Sequence, residues 1–120
     1  TTFDLSDALI AGNLAQSARI FQFLISAGEP ASLVLWTISK EMRLLMQLFE
    51  QPQNALQLGI WKTKISNYQQ ALRRLNPQAF LHWPQLLLRI DAAIKGMSKE
   101  NPEHLILQSI TELCGKTLFR

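Results

Sequence analysis

The sequence predicts an all-α fold, a compact bundle of about five to seven helices. Its 120 residues include 21 Leu and 11 Gln but only one Val, a composition that favours helices over strands. No segment shows the period-two alternation of apolar and polar residues that is typical of half-buried strands. Glycines follow the apolar stretches and several prolines precede them, as expected at helix ends and starts. The length supports a single domain over residues 1–120.

Three helices are predicted in the first half of the chain. The first covers residues 5–11, with Asp4 as its N-cap. The second covers residues 14–27, where apolar side chains recur at helical spacing. The third covers residues 31–51 and is apolar nearly all round, so we expect it to be the buried centre of the bundle, with Trp36 in the core.

In the second half of the chain, the sequence predicts a connector and three more helices. Pro84 should kink or split one helix near His82 and Trp83, because proline lacks a backbone N–H. Asn76 and Asn101 each precede a proline and are predicted N-caps. Short connections between the helices favour antiparallel neighbours. The predicted elements are a connector or short helix over residues 52–59 and helices over residues 63–75, 77–95 and 102–115.

Basic residues concentrate in the second half of the chain. The first 60 residues carry three basic and five acidic side chains, whereas the last 60 carry nine and four. Residues 61–99 hold seven basic side chains and a single acidic one, Asp91. This pattern fits a nucleic-acid or acidic-protein partner, or simply a solvated surface. The seven basic residues are Lys62, Lys64, Arg73, Arg74, Arg89, Lys95 and Lys99.

Signals for catalysis and metal binding are weak. Cys114, the single cysteine, follows the apolar face of the last helix and is expected to be a buried structural thiol. His82 and His104 lack a partner at metal-ligand spacing, and no glycine-rich phosphate-binding motif is present. We therefore predict no catalytic residue, no metal and no cofactor. No apolar run is long enough to cross a membrane and no signal segment opens the chain, so the cytoplasm is the expected compartment.

Trp61 is the most informative aromatic residue, because it lies on a basic connector. It follows Gly59, and Lys62 and Lys64 lie on its C-terminal side. A tryptophan can stack on an unpaired base while lysines bind phosphates, so these three residues are DNA-contact candidates. The alternative is a tryptophan packed on the bundle beside solvated lysines. Trp83 is predicted to be either a core residue or an interface anchor.

The helix that follows Pro84 ends in an ordered pattern of charged and apolar residues. Leu88 and Ile94 are expected in the core, whereas Arg89 is expected at the surface or an interface. Asp91 and Lys95 are four residues apart, with the acid first, and should form an ion pair along the helix.

Several segments, taken in order, resemble one known family. The more specific are the Gly28-Glu29-Pro30 turn and the helix end Asp91-Ala-Ala-Ile-Lys95-Gly96. The others are Phe3-Asp-Leu-Ser-Asp-Ala-Leu-Ile-Ala-Gly12, Ile38-Ser-Lys-Glu-Met-Arg-Leu-Leu45, Leu58-Gly-Ile-Trp61-Lys62, Glu103-His-Leu-Ile-Leu107 and Leu113-Cys114. Over nearly the whole chain, this pattern resembles the C-terminal domain of the delta subunit of the bacterial DNA polymerase III clamp loader.

The resemblance implies a helical fold of the clamp-loader collar type and a role in DNA replication. In that family five related subunits form a ring that places the sliding clamp on primed DNA, and the C-terminal domains hold the ring together. The implied partners are the gamma/tau and delta-prime subunits, with primer–template DNA near the collar and no membrane. Trp83 and Arg89 are then interface candidates. Trp61, Lys62 and Lys64 become as well suited to DNA contact as to packing on the bundle.

The resemblance also implies what this chain does not do by itself. We expect a non-catalytic fragment of a longer protein, whose clamp-binding part lies N-terminal to this domain. The parent complex is the DNA polymerase III holoenzyme, a nucleotidyltransferase, and the fragment alone is expected to be a monomer. The alternative function is that of a stand-alone helical nucleic-acid-binding domain that uses the basic segment 61–99.

Overall fold

Six α-helices form the fold in the computed structural model, which describes residues 1–116. They are α1 (Thr2–Ala11), α2 (Leu14–Ser26), α3 (Ala31–Glu50), α4 (Ile65–Arg74), α5 (Trp83–Ile94) and α6 (Pro102–Leu113). Short 3₁₀ segments lie at Pro52–Asn54, Lys62–Lys64 and Pro77–Leu81. Residues 1–116 contain no strand, and the prediction of a compact all-α bundle is confirmed. No helix in that range has the length and apolar character needed to cross a membrane.

The predicted cap of α1 is wrong by one turn. The helix begins at Thr2, so that Thr1 is the N-cap and Asp4 lies at the third helical position. The backbone N–H of Asp4 donates to Thr1 Oγ1 at 3.2 Å, and the backbone nitrogen of Thr1 donates to the Asp4 carboxylate at 3.0 Å. This reciprocal arrangement is a capping box, in which an acid at the third position is expected.

The predicted break at Pro84 is confirmed. A 3₁₀ segment over Pro77–Leu81 precedes α5, and Pro84 lies in the first turn of α5, where its missing N–H needs no partner. Asn76 and Asn101 cap their helices as predicted. The side-chain oxygen of Asn101 accepts from the backbone N–H of Glu103 at 2.9 Å.

Helix α3 lies at the centre of the bundle, where it packs on α1, α4, α5 and α6. Only one of its faces is buried, and the prediction that it is covered on all sides is wrong. Trp36 is 59% exposed, because it lies about 200° around the helix from Val34 and Ile38, whose side chains define the buried stripe. The apolar residues of that stripe are Val34, Ile38, Met42, Leu45 and Leu48.

The prediction that Leu88 lies in the core is wrong for the same reason as that for Trp36. The buried positions of α5 are Trp83, Leu86, Ile90 and Ala93. Leu88 lies on the opposite side of the helix and is 70% exposed. Ile94 is partly buried against the core, and the predicted pair of Asp91 and Lys95 forms with 2.9 Å between its charged atoms.

A guanidinium group joins the C-terminal ends of three helices. Arg74, the last residue of α4, donates through Nε to the Cys114 carbonyl at 3.1 Å and through Nη2 to the Leu9 carbonyl at 2.9 Å. Those carbonyls belong to the ends of α6 and α1, where the helix dipole favours a cation. The Leu9 carbonyl also accepts from the Gly12 N–H at 3.0 Å. Burial lowers the pKa of Arg74, but an arginine remains protonated at neutral pH.

Two glycines make room for this guanidinium. Gly12 and Gly115 both have left-handed backbones, with φ of 74° and 84°. A Cβ on Gly12 would lie 2.7 Å from Arg74 Nε, and one on Gly115 would lie 3.1 Å from Arg74 Cγ. Any other residue would therefore strain the backbone and displace the arginine.

A buried acid links α3 to α4. Both carboxylate oxygens of Glu41 accept from the Tyr68 hydroxyl, at 2.6 and 2.9 Å, and the Glu41 side chain is almost fully covered. Burial raises the pKa of Glu41, and the hydrogen bond from Tyr68 only partly opposes that shift. Cys114 is also buried, as predicted, and burial raises the pKa of its thiol.

We expect Arg74→Ala to lower the free energy of unfolding by about 2–4 kcal/mol, because two charge-assisted hydrogen bonds to carbonyls at two helix ends are lost. Arg73→Ala is the matched control, since Arg73 is the exposed neighbour, and it should change stability by less than about 0.5 kcal/mol. Urea denaturation of the two variants makes the comparison. Equal losses would show that the junction at Arg74 contributes nothing specific.

We expect Glu41→Gln to change how stability depends on pH. Because the folded-state pKa of Glu41 is raised, its contribution to stability is present at low pH and is lost as pH rises through that pKa. The neutral amide avoids this loss and still accepts from Tyr68. The variant should therefore gain stability relative to the natural chain as pH rises above the ordinary glutamate pKa of about 4.3.

Denaturation at several pH values measures this difference. Glu50→Gln, an exposed change on the same helix, is the control. Parallel stability curves for the natural chain and Glu41→Gln would contradict the prediction.

Candidate functional site

The connector between α3 and α4 presents a tryptophan to solvent. Ala55 and Ile60 are buried and attach the connector to the core, whereas Trp61 is 72% exposed. The backbone of Trp61 is extended, with φ of −62° and ψ of 140°. Consecutive side chains on an extended backbone point in opposite directions, so the burial of Ile60 turns Trp61 outward. The alternative of a Trp61 packed on the bundle is therefore wrong.

The two lysines beside Trp61 have different surroundings. Lys64 Nζ lies 2.8 Å from Asp7 Oδ1 on α1 and 5.5 Å from the centroid of the Trp61 ring. Lys62 is exposed and has no ion-pair partner among residues 1–116. The structure thus brings Trp61 and Lys64 together. The Lys64 ammonium contacts both the Asp7 carboxylate and the face of the indole. Lys62 is therefore the basic residue of the connector whose charge is not paired with an acid in residues 1–116.

A shallow depression lies beside this connector, between α1 and α4. Asp7 and Lys64 form one part of its lining, and Asn67 and Tyr68 form another. The Tyr68 hydroxyl is already bonded to Glu41, so the polar groups of the depression are largely paired. Residues 1–116 contain no group of three or more His, Cys, Asp or Glu side chains arranged to hold a metal ion.

Of the two interface candidates, only Arg89 lies at the surface. Trp83 is fully buried, with its ring centroid 4.7 Å from that of Phe80. It faces inward because it begins the buried stripe of α5, so it is a core residue in this fold. Arg89 donates through Nε to Glu100 at 3.2 Å, and this hydrogen bond lowers the pKa of the Glu100 carboxyl.

Most of the charge in segment 61–99 is engaged within the domain. Lys64, Arg89 and Lys95 are paired with acids, and Arg74 binds two backbone carbonyls. Across the described part of the chain, the remaining three basic residues of the segment have no ion-pair partner. They are Lys62, Arg73 and Lys99. A stand-alone nucleic-acid site would therefore have fewer available cations than the sequence suggests.

Sequence reasoning missed a second exposed tryptophan. Trp36 lies on the outer face of α3, with Lys40 Nζ at 5.2 Å from its ring centroid. The available signal was its angular position relative to the Val34 and Ile38 stripe, which outweighs the general tendency of tryptophan to be buried.

Several large apolar side chains remain exposed on the surface of the domain. Within residues 1–116, ten large apolar side chains are at least about one-third exposed, and two of them are tryptophans. They are Phe3, Phe23, Leu33, Trp36, Phe49, Leu56, Trp61, Leu81, Leu88 and Met97.

One comparison with known proteins identifies a family for this chain. The family model described as "DNA polymerase III delta subunit, C-terminal domain" matches residues 1–111. No match was found among curated protein sequences or among solved structures. Because the family model covers most of the chain, from the start of α1 to the last turns of α6, the chain belongs to the family of C-terminal domains of the DNA polymerase III delta subunit.

Proposed function

We propose that this domain is an oligomerisation module of the delta subunit, which helps to hold the clamp-loader pentamer together during DNA replication. It works by binding and carries no catalytic step, within a holoenzyme whose polymerase supplies the nucleotidyl transfer. Its partners are the gamma/tau and delta-prime subunits.

The observation that carries this proposal is the apolar surface that remains after the core has closed. Single exposed apolar side chains are common on soluble proteins, but exposed tryptophans are costly and are enriched at protein interfaces. Here Trp36 is 59% exposed, and Leu33, Leu56 and Leu88 are exposed as well. Burial of such surface against neighbouring subunits is the principal source of stability in lasting assemblies.

We expect the delta subunit to form a stable complex with gamma/tau and delta-prime only when this domain is present. Size exclusion with light scattering measures the mass of the mixture with the full-length subunit and with a form that lacks residues 1–116. The domain alone, added in excess, should compete with the full-length subunit. If a folded domain neither associates nor competes while the partner subunits bind each other, the proposal is wrong.

We also propose that Trp61 and Lys62 contact primer–template DNA in the assembled loader. Trp61 combines 72% exposure with a neighbouring cation, which is the arrangement that suits stacking on an unpaired base. Lys62 supplies a charge for a phosphate. Lys64 is tied to Asp7 and keeps the indole in place from one side.

We expect Trp61→Ala to weaken binding of primer–template DNA by the assembled loader by roughly tenfold, within the range for loss of one stacked base. Leu81→Ala, which removes another highly exposed apolar side chain, is the control and should leave the affinity unchanged. Titrations at two salt concentrations separate stacking from phosphate contacts. Unchanged affinity of the tryptophan variant at both salt concentrations would contradict a DNA contact.

A further inference from the structure

The outer face of α3 carries an aromatic and cationic surface, which we call the α3 patch. It consists of Leu33, Trp36, Lys40 and Arg43. These residues follow one another at intervals of three or four along the helix, so they share one face over about 15 Å. Leu33 is 36% exposed and Trp36 is 59% exposed.

The two cations of the α3 patch each point back along the helix towards its N-terminus. Lys40 Nζ lies 5.2 Å from the Trp36 ring centroid, one turn towards the N-terminus. Arg43 Nη2 donates to the Ser39 hydroxyl at 3.2 Å, again one turn back along the helix. Lys40 is therefore held beside the exposed indole before any partner arrives, which reduces the entropy lost on binding.

Between residues 33 and 43, the charges on the outer face of α3 are both positive. The one acid within this stretch of α3 is Glu41, which points inward and is bonded to Tyr68. Neither Lys40 nor Arg43 has an ion-pair partner among residues 1–116. By contrast Lys64, Arg89 and Lys95 are each paired with an acid.

We propose that the α3 patch docks on a neighbouring protein subunit, whose contact surface is an apolar groove bordered by carboxylates. This assignment rests on the proposed assembly function and names the surface through which it operates. Trp36 fills the groove beside Leu33, and Lys40 and Arg43 meet the carboxylates. Tryptophan and arginine are the residue types that most often dominate the binding energy of protein interfaces.

A protein partner suits this face better than a nucleic acid. The indole and the Leu33 side chain form an apolar ridge on a regular helix, which is the shape that packs into a groove between the side chains of another helix. Two cations on one helix also neutralise few phosphates.

The test is assembly of the full-length delta subunit with gamma/tau and delta-prime, measured as the dissociation constant of the complex. We expect Trp36→Ala and Arg43→Glu each to weaken assembly at least about tenfold. Phe23→Ala and Lys99→Glu are the matched controls, because they change an exposed aromatic and an exposed basic residue elsewhere on the domain. They should alter the constant less than about twofold. Because Arg43 meets carboxylates, the Arg43→Glu complex should also respond less to salt than the natural one.

Each outcome decides the assignment. If the natural subunit assembles and the α3 variants assemble equally well, the α3 patch is not the docking surface, although the proposed function stands. If Trp36→Ala and Phe23→Ala weaken assembly equally, the α3 patch is also not the docking surface. If assembly is unchanged but the loader binds primer–template DNA more weakly, the surface contacts DNA and the protein assignment is wrong. If the natural subunit does not assemble at all, the proposed function fails, and this assignment fails with it.

Discussion

The arrangement of the helices depends on the hydrogen bonds that the Arg74 guanidinium donates. This guanidinium lies where α1, α4 and α6 end, and it binds a carbonyl from each of the other two helices. The two glycines beside it adopt the left-handed conformation that both ends the helices and leaves room for the side chain. Three chain segments that are far apart in sequence are therefore fixed at one point by a partly buried cation.

The position of the connector that precedes α4 depends on Arg74 and on two further contacts of α4. Helix α4 is held by Arg74 at its C-terminal end, by Tyr68 and Glu41 in its middle, and by the ion pair of Lys64 with Asp7 just before it begins. The chain that enters α4 is consequently held at a defined place, and the buried Ile60 turns the preceding connector so that Trp61 faces solvent. Interactions within the domain thus determine where the aromatic surface is presented.

Local sequence predicted the helices well because helix ends depend on short-range chemistry. The asparagine caps, the break at Pro84 and the burial of Cys114 all follow from residues within a few positions. The contacts of Arg74 could not be predicted in this way, since its partners lie 65 and 40 residues away. The placement of Trp36 failed for another reason, because residue type was weighed above angular position on the helix.

The two exposed tryptophans have similar neighbours and different settings. Trp61 lies on an extended connector beside a lysine that is tied to an acid, whereas Trp36 lies on a regular helix face with two cations that have no acidic partner within residues 1–116. An extended connector suits insertion next to DNA, and a helix face suits packing against another protein chain. We therefore assign the two residues different partners within one assembly.

Oxidative footprinting of the delta subunit most directly tests the proposal that Trp36 contacts protein and Trp61 contacts DNA. The rates of side-chain oxidation at Trp36 and Trp61 would be compared in the isolated subunit, in the assembled loader, and in the loader bound to primer–template DNA. We predict that Trp36 becomes protected on assembly and that Trp61 becomes protected only when DNA is added. Equal oxidation of Trp36 in the isolated and assembled states would contradict this proposal.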